Sequence, residues 1–311
     1  MSAQSVLFDA PGPKARRNVA IANVMGVLLL LGIAAFVVVK MGEKGQWSPD
    51  LWGILVTPQT WTAYLLPGLQ RTLTAAAVSV VTALLFGFLF GLGRLASNRA
   101  VRWFCGLVVE FFRAVPVLIM MIAGWLLFTR TIPGVVPASQ APFVGVVIGL
   151  TLYNGAVIAE LIRSGVHGLP KGQREAGLAI GLTRGKSIWN IELPQAIVAM
   201  LPSLVSQFVV ILKDTALGAI VTYPELLRSA QILGGRGGLL QILLGVAVVF
   251  VVINWLLSRF AEWTARRVST RTSGRTRPQQ ASAAVVPGGA GAGVGLGGGG
   301  LGGGDGRGDD A

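Results

Sequence analysis

KGQREAGLAIGLTRGKSIWNIELPQA, residues Lys171 to Ala196, interrupts a chain that is strongly apolar on either side of it. Lys171, Arg174, Glu175, Arg184, Lys186 and Glu192 bring charge, and the stretch then stops at an abrupt Leu193-Pro194. Gln173 to Ile180 carries helix formers. Gly181 breaks or redirects the helix, and Thr183 stands where it can cap a second helical piece running through Ile191. Pro194 suits the first turn of a following helix, where its missing N–H leaves nothing unsatisfied. The local prediction is a short helix, a glycine turn and a second helix. Leu178, Ile180, Leu182, Ile188 and Trp189 give this piece apolar patches, while Arg174, Arg184 and Lys186 give it charge. Two physical readings fit: a segment resting in lipid headgroups, or one that inserts into a groove on a cytoplasmic partner.

The rest of the chain decides what surrounds this piece. Of 311 residues 53% are hydrophobic and only 13% charged, against about 25% charged in an ordinary soluble domain. This is the composition of a multi-pass membrane protein in contact with the bilayer. A net charge of +13 would suggest nucleic acid in a soluble protein. Membrane proteins instead concentrate Lys and Arg on one side of the bilayer, so no nucleic-acid partner is expected. The single Cys105 cannot form an intrachain disulfide and reads as a small apolar residue, and the single His167 excludes a multi-His site within the chain. No metal is expected. Neither a nucleophile with its base nor a phosphate-cradling glycine loop occurs, so no catalytic residue and no cofactor of the chain's own are expected.

A membrane span needs about 20 apolar residues. Residues 18–39 are uncharged, follow Lys14, Arg16 and Arg17, and precede no evident small-residue cleavage site, which predicts a retained span. Further spans are predicted at 72–93, at about 101–128 with Glu110 and Arg113 in its first half, within 131–159 starting near Pro142, at about 194–221 with Lys213 and Asp214 inside, and at 237–258. Basic residues gather at one set of ends: Lys14, Arg16 and Arg17; Arg94, Arg99 and Arg102; Arg163 through Lys186; and Arg259 onward. The opposite ends hold only Lys40, Lys44, Arg71, Arg130, Arg228 and Arg236. Six spans with both termini cytoplasmic satisfy that bias throughout. The loop 171–194 then lies in the cytoplasm between the fourth and fifth spans. The expected organisation is a cytoplasmic tail 1–17, an extra N-terminal helix 18–40, a five-helix transmembrane domain 61–260 containing the loop, and a disordered Gly-rich cytoplasmic tail 271–311 that cannot bury enough apolar area to order itself.

Spacing separates the two readings of the loop. Glu175-Ala176-Gly177 is followed after three residues by Gly181, after nine more by Ile191, and after one more by Leu193-Pro194. This resembles the EAA loop of ATP-binding-cassette importer permeases: E-A-A, three residues, G, nine residues, I, one residue, L-P. Gly177 stands where that family usually has Ala, at about 1 kcal/mol of helix propensity. The resemblance continues through VEFFRAVPVLI, Val109 to Ile119, which is similar to the FRGTP segment of the polar-amino-acid branch with Ala114-Val115 in place of Gly-Thr. It also takes in NGAVIAELIRSGVHGLPKGQ, Asn154 to Gln173, and LPSLVSQFVVILKDTALGAIV, Leu201 to Val221. With Tyr153-Asn154-Gly155 and the extra first span, the chain looks most like actinobacterial glutamate-uptake permeases. The resemblance implies an all-α integral membrane protein of the type I importer permease fold, in the plasma membrane. It is not an enzyme: an ABC ATPase dimer in the cytoplasm binds and hydrolyses the ATP, and Glu175 to Gly181 docks into it. A second permease, copy or paralogue, and an extracellular solute-binding protein complete the system. The binding protein delivers an amino acid to an outer mouth near residues 223–236 and 130–137.

Polar residues inside the spans are the candidates for the translocation path, since ionisable groups in lipid are costly and tend to be functional. Arg113 and Pro116 could kink the third span, and Asn154 sits in a polar Tyr-Asn-Gly step expected to interrupt the fourth. Gln207, beside Ser206, either faces the cavity or bonds to a neighbouring helix. Lys213 and Asp214, adjacent and so about 100° apart on a helix, line the path or its gate, or pair with another helix. Glu160 and Arg163, three apart, read as a structural pair. Trp47, Trp52 and Trp61 read as outer-interface anchors. The alternative function, an ion-coupled secondary amino acid transporter relaying through Lys213 and Asp214, leaves the 175–194 pattern without a role.

Overall fold

The computed structural model describes residues 12–272. Most of the expected N-terminal tail, and residues 273–311 of the expected Gly-rich tail, lie outside them. Every regular element among the described residues is helical. Five helices are long and apolar enough to cross a membrane, or six spans if one sharply bent pair counts as a span.

α1, Pro13–Glu43, is apolar all round and has no buried residue. Its far end alone is tied down. The Trp47 indole donates to the Val38 carbonyl at 3.2 Å and stacks on Trp52 at 5.8 Å, while Gln241 donates to the Gln46 carbonyl at 2.7 Å. After short turns, α2, Leu66–Leu95, follows a π-turn at Trp61–Leu65. Its buried face is small: Ala75, Ala76, Ser79, Ala83, Gly87 and Gly91 recur at helical spacing. Lipid tails are as apolar as leucine, so membrane helices associate through close packing rather than hydrophobic exclusion, and small residues allow it. α5, Ala141–His167, meets this face. A Cβ at Gly91 would stand 3.0 Å from that of Ile162, and one at Gly155 would stand 2.7 Å from the Phe86 ring.

Between them, Asn98 caps α3, Arg99–Ala114, by accepting the N–H groups of Ala100 and Val101. α3 does not run straight into α4, Val117–Leu126; the two helices are bent by 96°. Val115 precedes Pro116 and takes an extended conformation (φ −83°, ψ 127°), because the proline ring excludes the helical one. The third span expected at 101–128, where Arg113 and Pro116 could kink it, is therefore an amphipathic helix, burying Cys105 and Val109 while Trp103, Phe104, Leu107 and Phe111 stay exposed, followed after the bend by a separate apolar helix. α4 packs on α5 as closely as α2 does: a Cβ at Gly149 would stand 2.8 Å from the Met121 backbone nitrogen. α5 is unbroken through Tyr153 to Gly155, against the expected interruption; Gly155 serves the close approach of Phe86 instead.

α6, Lys171–Ala179, leads to a reversal at Gly181. α7, Arg184–Ser187, passes through a π-turn at Ile188–Glu192 directly into α8, Leu193–Asp214. The second helical piece of the loop is thus the start of the next span rather than a separate helix. Thr183 occupies its N-cap position, but its side chain makes no capping bond. α9, Leu226–Gly234, is short, and α10, Leu239–Thr272, returns along α8. Met121, Val146, Leu150, Ile158, Ile162, Leu204 and Ile211 form the main core between these helices.

Candidate functional site

The loop is built around a tight turn. Gly181 takes φ +84°, a left-handed conformation open to glycine. Its N–H bonds the Leu178 carbonyl at 3.0 Å, and the Leu182 N–H bonds that of Gly177 at 3.1 Å, satisfying the last carbonyls of α6. The turn folds α6 back on the π-turn. Gly177 is buried there, and a Cβ on it would lie 2.8 Å from the Ser187 hydroxyl and 3.1 Å from the Ile191 Cδ1 atom. The departure from Ala at this position therefore faces the chain itself. Beneath it, buried Glu192 pairs with Arg184 at 2.7 Å and accepts from the Ser187 hydroxyl at 3.0 Å. Gln195 donates to the Gln173 side chain at 3.1 Å, tying α6 to the start of α8. Leu193 is buried and Pro194 exposed. A cavity of about 400 Å³ under the loop is lined by His167, Lys171, Arg174, Glu175, Arg184 and Glu192, among others. Outward, the loop presents Glu175, Ala176, Leu178, Ile180, Gly181 and Trp189.

Ion pairs join the same ends of α2, α3 and α5. Arg94 reaches Glu160 at 2.8 Å and Glu110 at 3.2 Å; Arg163 pairs with Glu160 at 2.6 Å, and Arg113 with Glu110 at 3.3 Å. The i,i+3 pairing of Glu160 with Arg163 is present as expected. Arg113 lies in this network, and Pro116 sits at the bend.

Within the spans, Asn154 and Gln207 meet. Asn154 is fully buried; its amide donates to the Leu150 carbonyl at 3.0 Å and its Oδ1 atom accepts from Gln207 across the α5–α8 contact. The Thr82 and Thr151 hydroxyls share a hydrogen bond between α2 and α5, and among the described residues the buried Ser79 hydroxyl has no partner. Asp214, seven residues past Gln207, returns to the same flank of α8, within about 20°. Lys213 turns away and lines an apolar cavity of about 670 Å³ with Val246, Phe250 and Asn254. Among the described residues neither Lys213 nor Asp214 forms an ion pair or side-chain hydrogen bond. No three His, Cys, Asp or Glu among the described residues converge as a metal site.

At the opposite end of the bundle, the turn before α9 is locked to α2. Thr222 takes φ +61°, the Tyr223 hydroxyl donates to the Arg71 carbonyl at 3.0 Å, Arg71 donates to the Pro224 carbonyl at 3.3 Å, and the Leu226 N–H reaches the Thr72 hydroxyl at 3.0 Å. Glu225 is fully buried and caps α9, accepting the N–H groups of Leu227 and Arg228 at 2.8 and 2.6 Å. Burial pushes its carboxyl up to about 7, with the two N–H donors pulling the other way. Burial likewise pushes the Tyr223 hydroxyl up to about 12. The Glu192 clasp and the Glu225 cap escaped sequence reasoning. A carboxylate beside apolar residues carries no mark of its partner, although Glu225 one residue after a proline and ahead of an apolar run is a legible cap signal.

The description "binding-protein-dependent transport system inner membrane component" matches residues 83–270. The chain is 45% identical over 238 residues to the glutamate transport system permease protein GluD of Corynebacterium glutamicum, covering 76% of this chain and 85% of that one. It is 30% identical over 210 residues to the glutamate/aspartate import permease protein GltK of Escherichia coli, covering 66% and 94%. Among solved structures, an amino acid ABC transporter crystallised with histidines superimposes with a TM-score of 0.61 at 24% identity, over 67% of this chain and 95% of that one. A methionine ABC transporter in an inward-facing conformation superimposes with a TM-score of 0.58 at 20% identity, over 68% and 99%. The helices, the loop and these likenesses agree: the chain belongs to the inner membrane permease components of binding-protein-dependent, ATP-binding-cassette transport systems.

Proposed function

We propose that this permease imports glutamate or a closely related polar amino acid, and that the loop from Glu175 to Pro194 couples it to a cytoplasmic ATPase dimer. The observation that carries the coupling is continuity. From Arg184 to Asp214 the chain is helical without a break, and the Glu192 clasp and the Gln173–Gln195 bond fasten α6 to its base. A push on the exposed face of Glu175, Ala176 and Gly181 then moves α8 as a body, with Gly177 keeping α6 close and Ile191, Leu193 and Pro194 forming the joint. That motion works directly on Gln207 and its bond to Asn154. Asn154, Gln207 and Asp214 line the path, with Lys213 on the adjoining flank and Arg113 and Pro116 at the bend that opens or closes it. ATP is bound and hydrolysed by the partner; a second permease and an extracellular binding protein complete the complex. Both termini face the cytoplasm, as the distribution of Lys and Arg requires. Lys213 and Asp214 face different ways, which gives a proton relay between them no support.

Glu175→Arg reverses the charge on the exposed docking face and is expected to lower ATP-dependent uptake about tenfold or more, the effect of about 1.4 kcal/mol on docking. Undiminished uptake with coupled ATPase activity would sink this reading of the loop. Radiolabelled glutamate uptake challenged by unlabelled glutamate, aspartate, glutamine and arginine assigns the substrate; failure of the first two to compete removes the acidic assignment while leaving the coupling intact.

A further inference from the structure

Arg94, Ser97, Arg102, His167 and Arg184 surround a cavity of about 260 Å³ at the end of the bundle that carries the loop. They come from separate parts of the chain: Arg94 from the last turn of α2, Ser97 from the link to α3, Arg102 from the first turn of α3, His167 from the end of α5, and Arg184 from the start of the helix that becomes α8. Among the described residues no acidic side chain lines this cavity. The neighbouring carboxylates are already shared out. Arg94, Arg113 and Arg163 divide those of Glu110 and Glu160, Arg184 takes that of Glu192, and Arg102 has none among the described residues. The cluster thus keeps two positive charges beyond its carboxylates.

These side chains have partners and still have donors to offer. Arg102 donates through one terminal nitrogen to the Ala96 carbonyl at 3.0 Å, and Arg184 through one terminal nitrogen to Glu192 at 2.7 Å. A guanidinium has five N–H groups, and the others of these two make no hydrogen bond or ion pair among the described residues. Arg94 is held by Glu110 and Glu160 and adds field rather than a free edge. His167 bonds the Arg163 carbonyl through Nδ1 at 2.8 Å, which puts the hydrogen on Nδ1 and leaves Nε2 as the remaining polar atom of the ring. Guanidiniums fit phosphate and carboxylate oxygens alike, but an Nε2 lone pair calls for a hydroxyl as well, and a monohydrogen phosphate carries both. The cavity is smaller than the roughly 300–1,000 Å³ of sites that take drug-sized ligands, which suits a small anion and not a nucleotide. We propose that this cavity binds a phosphate group, of inorganic phosphate or a small phosphate monoester, which ties Arg184 at the loop to Arg102 on α3 and holds the loop against the bundle. The effect on coupling rests on the function proposed above, in which α8 moves with the loop and phosphate is released by the ATPase on this face; the binding itself does not.

The test is a titration of the detergent-solubilised full chain with inorganic phosphate, at an ionic strength held constant with potassium chloride, reading the thermal midpoint. Phosphate should raise the midpoint to a plateau, and chloride alone should not. Arg102→Gln should move the half-saturating concentration about tenfold upward, the effect of one charge-assisted hydrogen bond, and His167→Ala about fivefold, the effect of a neutral one. Arg102→Lys should recover part of the first shift. In proteoliposomes holding the ATPase partner, phosphate on the ATPase side should slow ATP-driven uptake by the wild type more than by Arg102→Gln, whose uptake without phosphate should match the wild type. A midpoint that ignores phosphate, or an Arg102→Gln chain that titrates like the wild type, would overturn the site and leave the coupling reading of the loop untouched, since no ATPase is present in that measurement. A response to short-chain phosphatidylglycerol where inorganic phosphate has none would overturn it too, making the ligand a lipid headgroup. So would an Arg102→Gln chain that keeps the wild-type phosphate titration but loses the ATPase subunit on co-purification, which would make Arg102 a docking residue. Binding as expected with equal inhibition of both chains would overturn the tie between loop and bundle.

Discussion

A methyl group at Gly177 would press on Ser187 and Ile191. Ser187 cannot swing aside without leaving Glu192, so the neighbour does not yield. The roughly 1 kcal/mol that alanine offers in helix propensity is opposed by overpacking worth about 1–3 kcal/mol. Gly177→Ala is expected to lower the thermal midpoint slightly and Gly177→Val to lower it clearly; a rise on either substitution would mean that α6 is free to move off the π-turn. Glu192→Ala removes the acceptor of both Arg184 and Ser187 and is expected to cost about 1–3 kcal/mol, since Glu192 is buried while Arg184 is partly in water. Glu225 supplies a pH dependence. Its folded value of about 7 lies above its ordinary 4.5, so the folded chain holds a proton that the unfolded chain releases. Stability from this group is full below about pH 4.5 and is lost as pH rises through 7, at up to about 1.4 kcal/mol per pH unit. The thermal midpoint should therefore fall between pH 5 and pH 8, and Glu225→Gln should flatten that fall.

Among the elements, the contact of α4 with α5 is set by backbone rather than side chains. Gly149→Val would drive a side chain into the Met121 backbone, and no rotamer relieves it. The expected outcome is loss of folded permease, measured as aggregation on size-exclusion chromatography, whereas Gly106→Ala, with open space around it, should leave the profile unchanged. Span count, the loop's position and the i,i+3 pair of Glu160 and Arg163 could be read from the sequence because length, hydropathy and helical spacing are local quantities. The 96° bend was harder: Pro116 announces a break, but the depth of Glu110 and Arg113 depends on Arg94, which comes from a helix earlier in the chain. Asn154 with Gln207 shows the same limit. Each residue stood out as polar in an apolar span, but their meeting across 53 positions is a property of packing. The merging of α7 into α8 was hidden because Pro194 suits a first helical turn whether or not helix precedes it.

At the scale of the whole molecule, α1 stands apart. It buries nothing against the other spans and is held at one end by Gln46, Trp47 and Trp52. Removing residues 13–43 is expected to leave the packing of α2, α5, α8 and α10 intact, with little change in thermal midpoint; a collapse of the midpoint would show that the described contacts omit a support. The deeper consequence is one of parity. With the bent pair taken as a single crossing, the remaining spans are odd in number, and an odd count sends the two ends of a chain to opposite compartments. In the topology proposed above, one additional crossing, bound to almost nothing, brings both ends to the same compartment. α1 thus acts on the bookkeeping of biogenesis rather than on the architecture, and a reporter fused to the N-terminus should change sides when it is deleted while one fused after α10 stays put.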